Sequence, residues 1–122
     1  MKTVLLYARV DTGADQVGDP SLLQKQLDEL KDFCAENTLR VNGVYSDVHH
    51  GATFERERFQ ELLNDLETEM VQADAILFTS WDRFSRNLDS ALLMAKRLRT
   101  LKVKALSIQD VKSNLCLTFL TK

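Results

Sequence analysis

Apolar residues along this chain alternate between short unbroken runs and stripes of helical period. The opening run, VLLYARV, has no helical spacing and predicts a buried strand over 2–10. Asp19-Pro20 then supplies an N-cap followed by proline at the first helical position. Leu23, Leu27, Leu30 and Cys34 recur at helical spacing, which predicts an amphipathic helix over 20–36. Val41, Val44 and Tyr45 mark a second strand over 40–46, followed by a polar, glycine-containing loop, DVHHGATF. Phe59, Leu62, Leu63, Leu66 and Met70 stripe a second helix over 55–70. ADAILFTS predicts a third strand over 73–80, and WDRFSRN a turn into a helix over 87–101 striped by Leu88, Ala91, Leu92, Ala95 and Leu98. KVKALSI predicts a fourth strand over 102–108, and the remaining tail is mildly apolar and ambiguous.

Strands alternating with helices imply right-handed crossovers. The expected fold is therefore α/β, with three layers, a mostly parallel sheet of four to five strands and helices on both faces. Residues 1–110 form one domain on this reading, and 111–122 a tail. In such folds ligands sit beyond the carboxyl ends of the strands. Three of those ends matter here: Arg9–Gln16, Asp47–Arg56 and Asp82–Arg86, each with at least one arginine. Converging guanidiniums without a glycine-rich loop point to a phosphodiester held by side chains rather than a nucleotide held by backbone amides. A network of surface salt bridges could use the same residues.

Charge sharpens this picture. The formal net charge is −2, which argues against general polyanion binding. Residues 1–81, however, carry 7 Lys and Arg against 15 Asp and Glu, whereas residues 82–122 carry 9 against 3. Such asymmetry fits a phosphate-facing end, and equally an electrostatic match between two halves of one domain. The 122 residues, 44% of them hydrophobic, suit a single core. With neither a signal-peptide pattern nor a membrane-spanning run, a soluble cytoplasmic protein is expected. Cys34 and Cys116 are too few for a disulfide framework, and Cys34 reads as a small buried hydrophobe. His49-His50 lacks a third ligand at metal spacing and reads as solvated loop. Trp81 reads as packing rather than base stacking. Ser46, Ser80 and Ser85 have no histidine partner at triad spacing.

Taken in order, YARVDT, Gln26, VYSD, the loop ending TFERERF, and LFTSWDRFSRN resemble the catalytic domain of serine site-specific recombinases, the resolvase/invertase family. The resemblance covers about residues 3–110, and DRFSRN after a strand is its most specific part. It implies DNA cleavage without metal, ATP or other cofactor. A serine hydroxyl attacks the phosphodiester, and the phosphoserine link conserves bond energy for religation. It also implies DNA as partner, homo-oligomers in a full-length protein, and no membrane. By the same resemblance the catalytic set is Arg9, Gln16, Gln26, Arg56, Asp82, Arg83 and Arg86. Arg9, Arg56, Arg83 and Arg86 then hold the phosphate, since fixed cationic donors aimed at developing charge are usually the largest catalytic term.

The family pattern ARVS reads ARVD here, so Asp11 stands at the nucleophile position. Counting back from Gln16 instead aligns Thr12 with the serine, so both residues remain candidates. The step from Arg9 favours Asp11, because strand geometry fixes the face of each position. A carboxylate can attack phosphorus, but it repels the phosphate it approaches. Two like charges at about 4 Å and an effective dielectric near 20 cost roughly 4 kcal/mol, or about a thousandfold in rate. Asp11 is better suited to pair with the arginines. Resemblance further implies a long dimerisation helix after the fourth strand, leading to a DNA-binding domain. SNLCLTFLTK reads as the start of that helix, or as a short extra strand. Without that domain a net-acidic chain is expected to bind DNA weakly. The expectation is an impaired recombinase catalytic domain. Two alternatives are a non-catalytic module that pairs with or inhibits full-length recombinases, and an unrelated phosphate-binding α/β protein.

Overall fold

The computed structural model describes residues 2–12, 20–50, 57–84 and 88–112. Strand β1 (Thr3–Thr12) leads to helix α1 (Pro20–Glu36), then β2 (Arg40–His50), α2 (Glu57–Glu67) and β3 (Ala75–Phe78). A single-turn helix α3 (Trp81–Phe84) precedes α4 (Leu88–Thr100), β4 (Lys104–Ser107) and the short α5 (Ile108–Lys112). The four strands form one sheet in the order β2-β1-β3-β4. Every pairing is parallel. β1 lies inside the sheet and is buried from Val4 to Val10. That is why it reads as a continuous apolar run rather than an alternating one.

Alternate residues of the strands feed two separate cores. Leu5, Tyr7, Ile76 and Phe78 pack with Phe59, Leu62 and Leu63 of α2, Phe84 of α3, and Ala91 and Leu98 of α4. Val4, Leu6, Ala75, Leu77 and Leu106 pack with Leu30, Phe33 and Cys34 of α1 and with Ile108. The three-layer α/β arrangement is therefore as expected, with helices on both faces. Cys34 is a core residue, and burial pushes its thiol up to about 11.

One irregularity decides what β2 presents. Val4 pairs with Val41, but Leu5 pairs with Gly43, leaving Asn42 as an extra residue. Its amide donates to the Gln72 carbonyl at 2.8 Å, tying the bulge to the α2–β3 connection. Because side chains alternate with period two, one extra residue exchanges the faces of everything after it. Val41 keeps step with Val4 on the α1 side, whereas Tyr45 and Asp47 keep step with Tyr7 and Arg9 on the α2 side. Gly43 sits at this crossing, where a Cβ would come within 3.1 Å of Leu5 Cδ2 and 3.2 Å of the Tyr45 ring.

Element types match the sequence reading, and the boundaries differ in instructive ways. β2 runs to His50 instead of residue 46, because β1 also continues and pairs Asp11 with His49 and Thr12 with His50. His49-His50 is thus the end of a strand and not a loop. β3 and β4 are shorter than predicted. Ile108 begins a helix that the tail's mild apolarity did not announce. WDRF, read as a turn, closes one helical turn. Helices α1, α2 and α4 are each followed by a left-handed residue that is not glycine: Thr38, Glu69 and Lys102. Behind two of them the returning amides of Leu39 and Val103 bond the Cys34 and Leu98 carbonyls, both at 2.9 Å. These bonds satisfy carbonyls that a helix end leaves open. Among the described residues no helix is long and apolar enough to cross a membrane.

Phe84 is fully buried, stacks on Phe78 with centroids 4.5 Å apart and meets Phe59 edge-on. Phe84→Ala is expected to cost about 3–5 kcal/mol, measured by urea unfolding. A loss under 1 kcal/mol would contradict this packing. Cys34 should react with a thiol reagent at pH 8 only as fast as the protein unfolds.

Candidate functional site

Arg9 is the one charged residue on the buried stretch of β1, with 5% of its surface exposed. It lies toward the strand's carboxyl end. Its main chain is held by Gln26 of α1: the Gln26 Oε1 accepts from the Arg9 N–H at 3.3 Å, and Nε2 donates to the Arg9 carbonyl at 2.9 Å. Gln26 is itself 8% exposed.

Asp47 is the register partner of Arg9 on the neighbouring strand, about 5 Å away by strand spacing. It is buried, and it accepts three hydrogen bonds. Tyr7 Oη donates to Oδ2 at 2.7 Å, the Arg58 amide to Oδ1 at 2.9 Å and the Phe59 amide to Oδ2 at 3.1 Å. The two amides belong to the first turn of α2, whose N–H groups have no partner inside the helix. A carboxylate also suits the positive end of the helix dipole. Asp47 therefore joins β1, β2 and the start of α2 through one side chain. Below it, the Tyr45 hydroxyl donates to Asp65 of α2 at 2.8 Å. Burial, then the hydrogen bond and charge of Asp65, push the Tyr45 phenol up to about 12.

Helix α3 is brought to the same face by aromatic packing. Tyr7 meets Phe59 at 5.2 Å and Phe59 meets Phe84 at 5.4 Å. Trp81 packs edge-on to Phe78 at 4.9 Å and donates its indole N–H to Asp110 at 2.8 Å, so it is a packing residue as predicted. The chain positions of Asp82 and Arg83 thus lie in a helical turn against β1, on the side of the sheet that carries Tyr7.

Of the predicted site residues, Arg9 and Gln26 meet directly. Asp11 and Thr12 are the last two positions of β1. Gln16, Arg56, Arg86, Ser85, Cys116 and the tail from residue 113 lie outside the described residues. Tyr7 and Asp47 were not singled out from sequence. Their signal was available: a tyrosine and an acid near the carboxyl ends of two predicted strands, in YARV and VYSD. Among the described residues no group of three His, Cys, Asp or Glu could hold a metal ion.

The family model described as "Resolvase, N terminal domain" matches residues 4–117. The chain belongs to the resolvase family. Solved structures agree with that membership. The N-terminal catalytic domain of TP901-1 integrase is 28% identical, covers 98% of this chain and 92% of its own, and superposes with a TM-score of 0.74. A resolvase family site-specific recombinase from Streptococcus pneumoniae shares the fold at 22% identity and a TM-score of 0.77, over 99% of this chain and 84% of its own. The C-terminal catalytic domain of ISC1926 TnpA, an IS607-like serine recombinase, does so at 24% identity and 0.71, over 87% of this chain and 67% of its own. A comparison with curated protein sequences finds no match. The chain is thus a resolvase N-terminal domain by family.

Because three donors converge on Asp47, this resolvase-family chain should tolerate its loss poorly. Asp47→Asn turns one acceptor into a donor facing donors, and is expected to cost about 2–3 kcal/mol. Tyr7→Phe should cost about 1 kcal/mol. A double-mutant cycle in urea should return a coupling of at least about 0.5 kcal/mol between the two. Strict additivity would mean that the Tyr7–Asp47 bond contributes nothing.

Proposed function

We propose that this chain is a recombinase catalytic domain that keeps the phosphate-holding site and lacks the family's serine. The observation that carries the reading is the burial of Arg9 near the carboxyl end of β1, beside Asp47 and on the face where Phe84 docks α3. Burying a guanidinium costs several kcal/mol unless its surroundings offset it. A strand end is also where an α/β sheet binds its ligand. Arg9, Arg56, Arg83 and Arg86 hold a DNA phosphate in this reading, with Gln16, Gln26 and Asp82 as the remaining family positions. DNA is the partner, bound weakly by this chain alone, and a cytoplasmic setting follows from it.

Residues 9 and 11 share a register parity on β1, and residue 12 has the other. That favours position 11 over Thr12 as the nucleophile position. Asp11 then acts as an internal counter-ion for the arginines, occupying the place a phosphate would take. The same aspartate supports a second reading, in which the domain pairs with serine-bearing recombinases and contributes no cleavage of its own.

Two expected outcomes test this. The chain should form no covalent adduct with duplex DNA carrying inverted repeats, judged on a denaturing gel. An adduct mapped to Thr12 would move the nucleophile there. Replacing Asp11→Ser should lower stability, by about 1–3 kcal/mol if the site is closed and less if it is open. The same change should raise sulfate affinity. Added sulfate should then restore the melting temperature of the variant more than that of the parent chain. Equal stabilisation of both would rule out Asp11 as the counter-ion.

A further inference from the structure

We infer that Gln26 is a positioning residue for Arg9, and not itself a ligand of the phosphate; this rests on the phosphate reading above. The pairing of β1 with β3 runs from Val4 to Leu6 against Ala75 to Leu77 and stops there. No β3 residue stands in register with Arg9, three positions further on. The Gln26 amide meets the Arg9 main chain instead, accepting from its N–H at 3.3 Å and donating to its carbonyl at 2.9 Å. A primary amide has the donor and acceptor of a peptide group, so one side chain from α1 does for Arg9 what a neighbouring strand does elsewhere. Both residues are buried, so losing the amide would leave two main-chain groups without these partners.

The consequence falls on the guanidinium. An arginine side chain extends about 6–7 Å from its Cα, so a backbone rotation of about 10° displaces the charge by roughly 1 Å. Displacements of that size can cost about a hundredfold where a charge must meet a reacting group. Gln26 has its amide turned to the main chain of Arg9, and it acts on a bound phosphate through that residue. On this assignment its place in the catalytic set comes from holding Arg9 rather than from touching DNA.

The test uses the full chain. In the absence of anion, Gln26→Met keeps the side-chain length and removes both bonds. It should speed hydrogen exchange of the Arg9 amide by roughly tenfold more than that of Leu6 or Ala8, and it should shift the Arg9 Nε–H resonance. Gln26→Asn, one methylene short, disturbs the packing less and should give the same Arg9-specific signature. Sulfate is the probe for the site, titrated in the Asp11→Ser background. There either Gln26 variant should weaken binding by roughly five- to tenfold. Unchanged Arg9 exchange in both variants would overturn the inference. So would weaker sulfate binding with the anion-free Arg9 signals unmoved, since that pattern belongs to a direct ligand. If Arg9→Gln leaves sulfate affinity unchanged, the phosphate reading fails and the role in binding with it. The exchange data would then report separately on the main-chain clasp.

Discussion

The buried carboxylate of Asp47 is the joint on which this end of the fold depends. Its three donors come from β1 and from the first turn of α2, while the residue itself is on β2. Three donors satisfy the oxygens of this carboxylate away from water. The register sets Arg9 beside it on the neighbouring strand, and both residues are buried. The arrangement needs Asp47 on the α2 side of the sheet. That face is set five residues earlier along β2 by the Asn42 bulge, at the edge of the sheet. Removing the extra residue would turn Asp47 toward α1 and leave the start of α2 without its anion. A backbone irregularity thus governs an electrostatic one.

Aromatic packing supplies the other half of the geometry. Tyr7 serves both, since its ring packs on Phe59 while its hydroxyl binds Asp47. Phe59 in turn contacts Phe84, so the same chain of rings that closes the core seats α3 against β1. A one-turn helix cannot hold itself in place by its own hydrogen bonds. Phe84 holds it by burial, Trp81 by edge-on ring contacts with Phe78 and Phe84, and Asp110 adds a hydrogen bond from α5.

How much of this was legible in the sequence follows from which forces are local. The apolar stripe of α1 and the unbroken run of β1 are periodic, and both elements were found close to their observed limits. Helix ends were less legible because the chain spends none of its four glycines on them. α2 was extended to Met70, three residues beyond its observed end, since Glu69 in a left-handed conformation carries no glycine signal. The extension of β2 to His50 is a tertiary effect, decided by pairing with β1 and not by its own composition. At the site, Arg9 and Gln26 were recoverable by resemblance. Their direct contact was not, because nothing in the spacing of residues 9 and 26 distinguishes two neighbours of one phosphate from an amide bonded to a main chain.

Family membership and residual chemistry are separable here for a physical reason. The fold rests on two apolar cores, the Asp47 joint and the bulge. Catalysis in the proposed reading rests on the net charge near Arg9, to which position 11 adds or withholds one unit. With a neutral side chain there, the arginines keep positive charge for a phosphate. On that proposal a carboxylate neutralises them from within. At an effective dielectric near 20, a unit charge at about 4 Å changes the local energy by roughly 4 kcal/mol. That is large beside phosphate affinity. On the proposed reading a chain can keep the architecture of its family while one residue at a strand end decides whether an external anion or an internal one occupies the site.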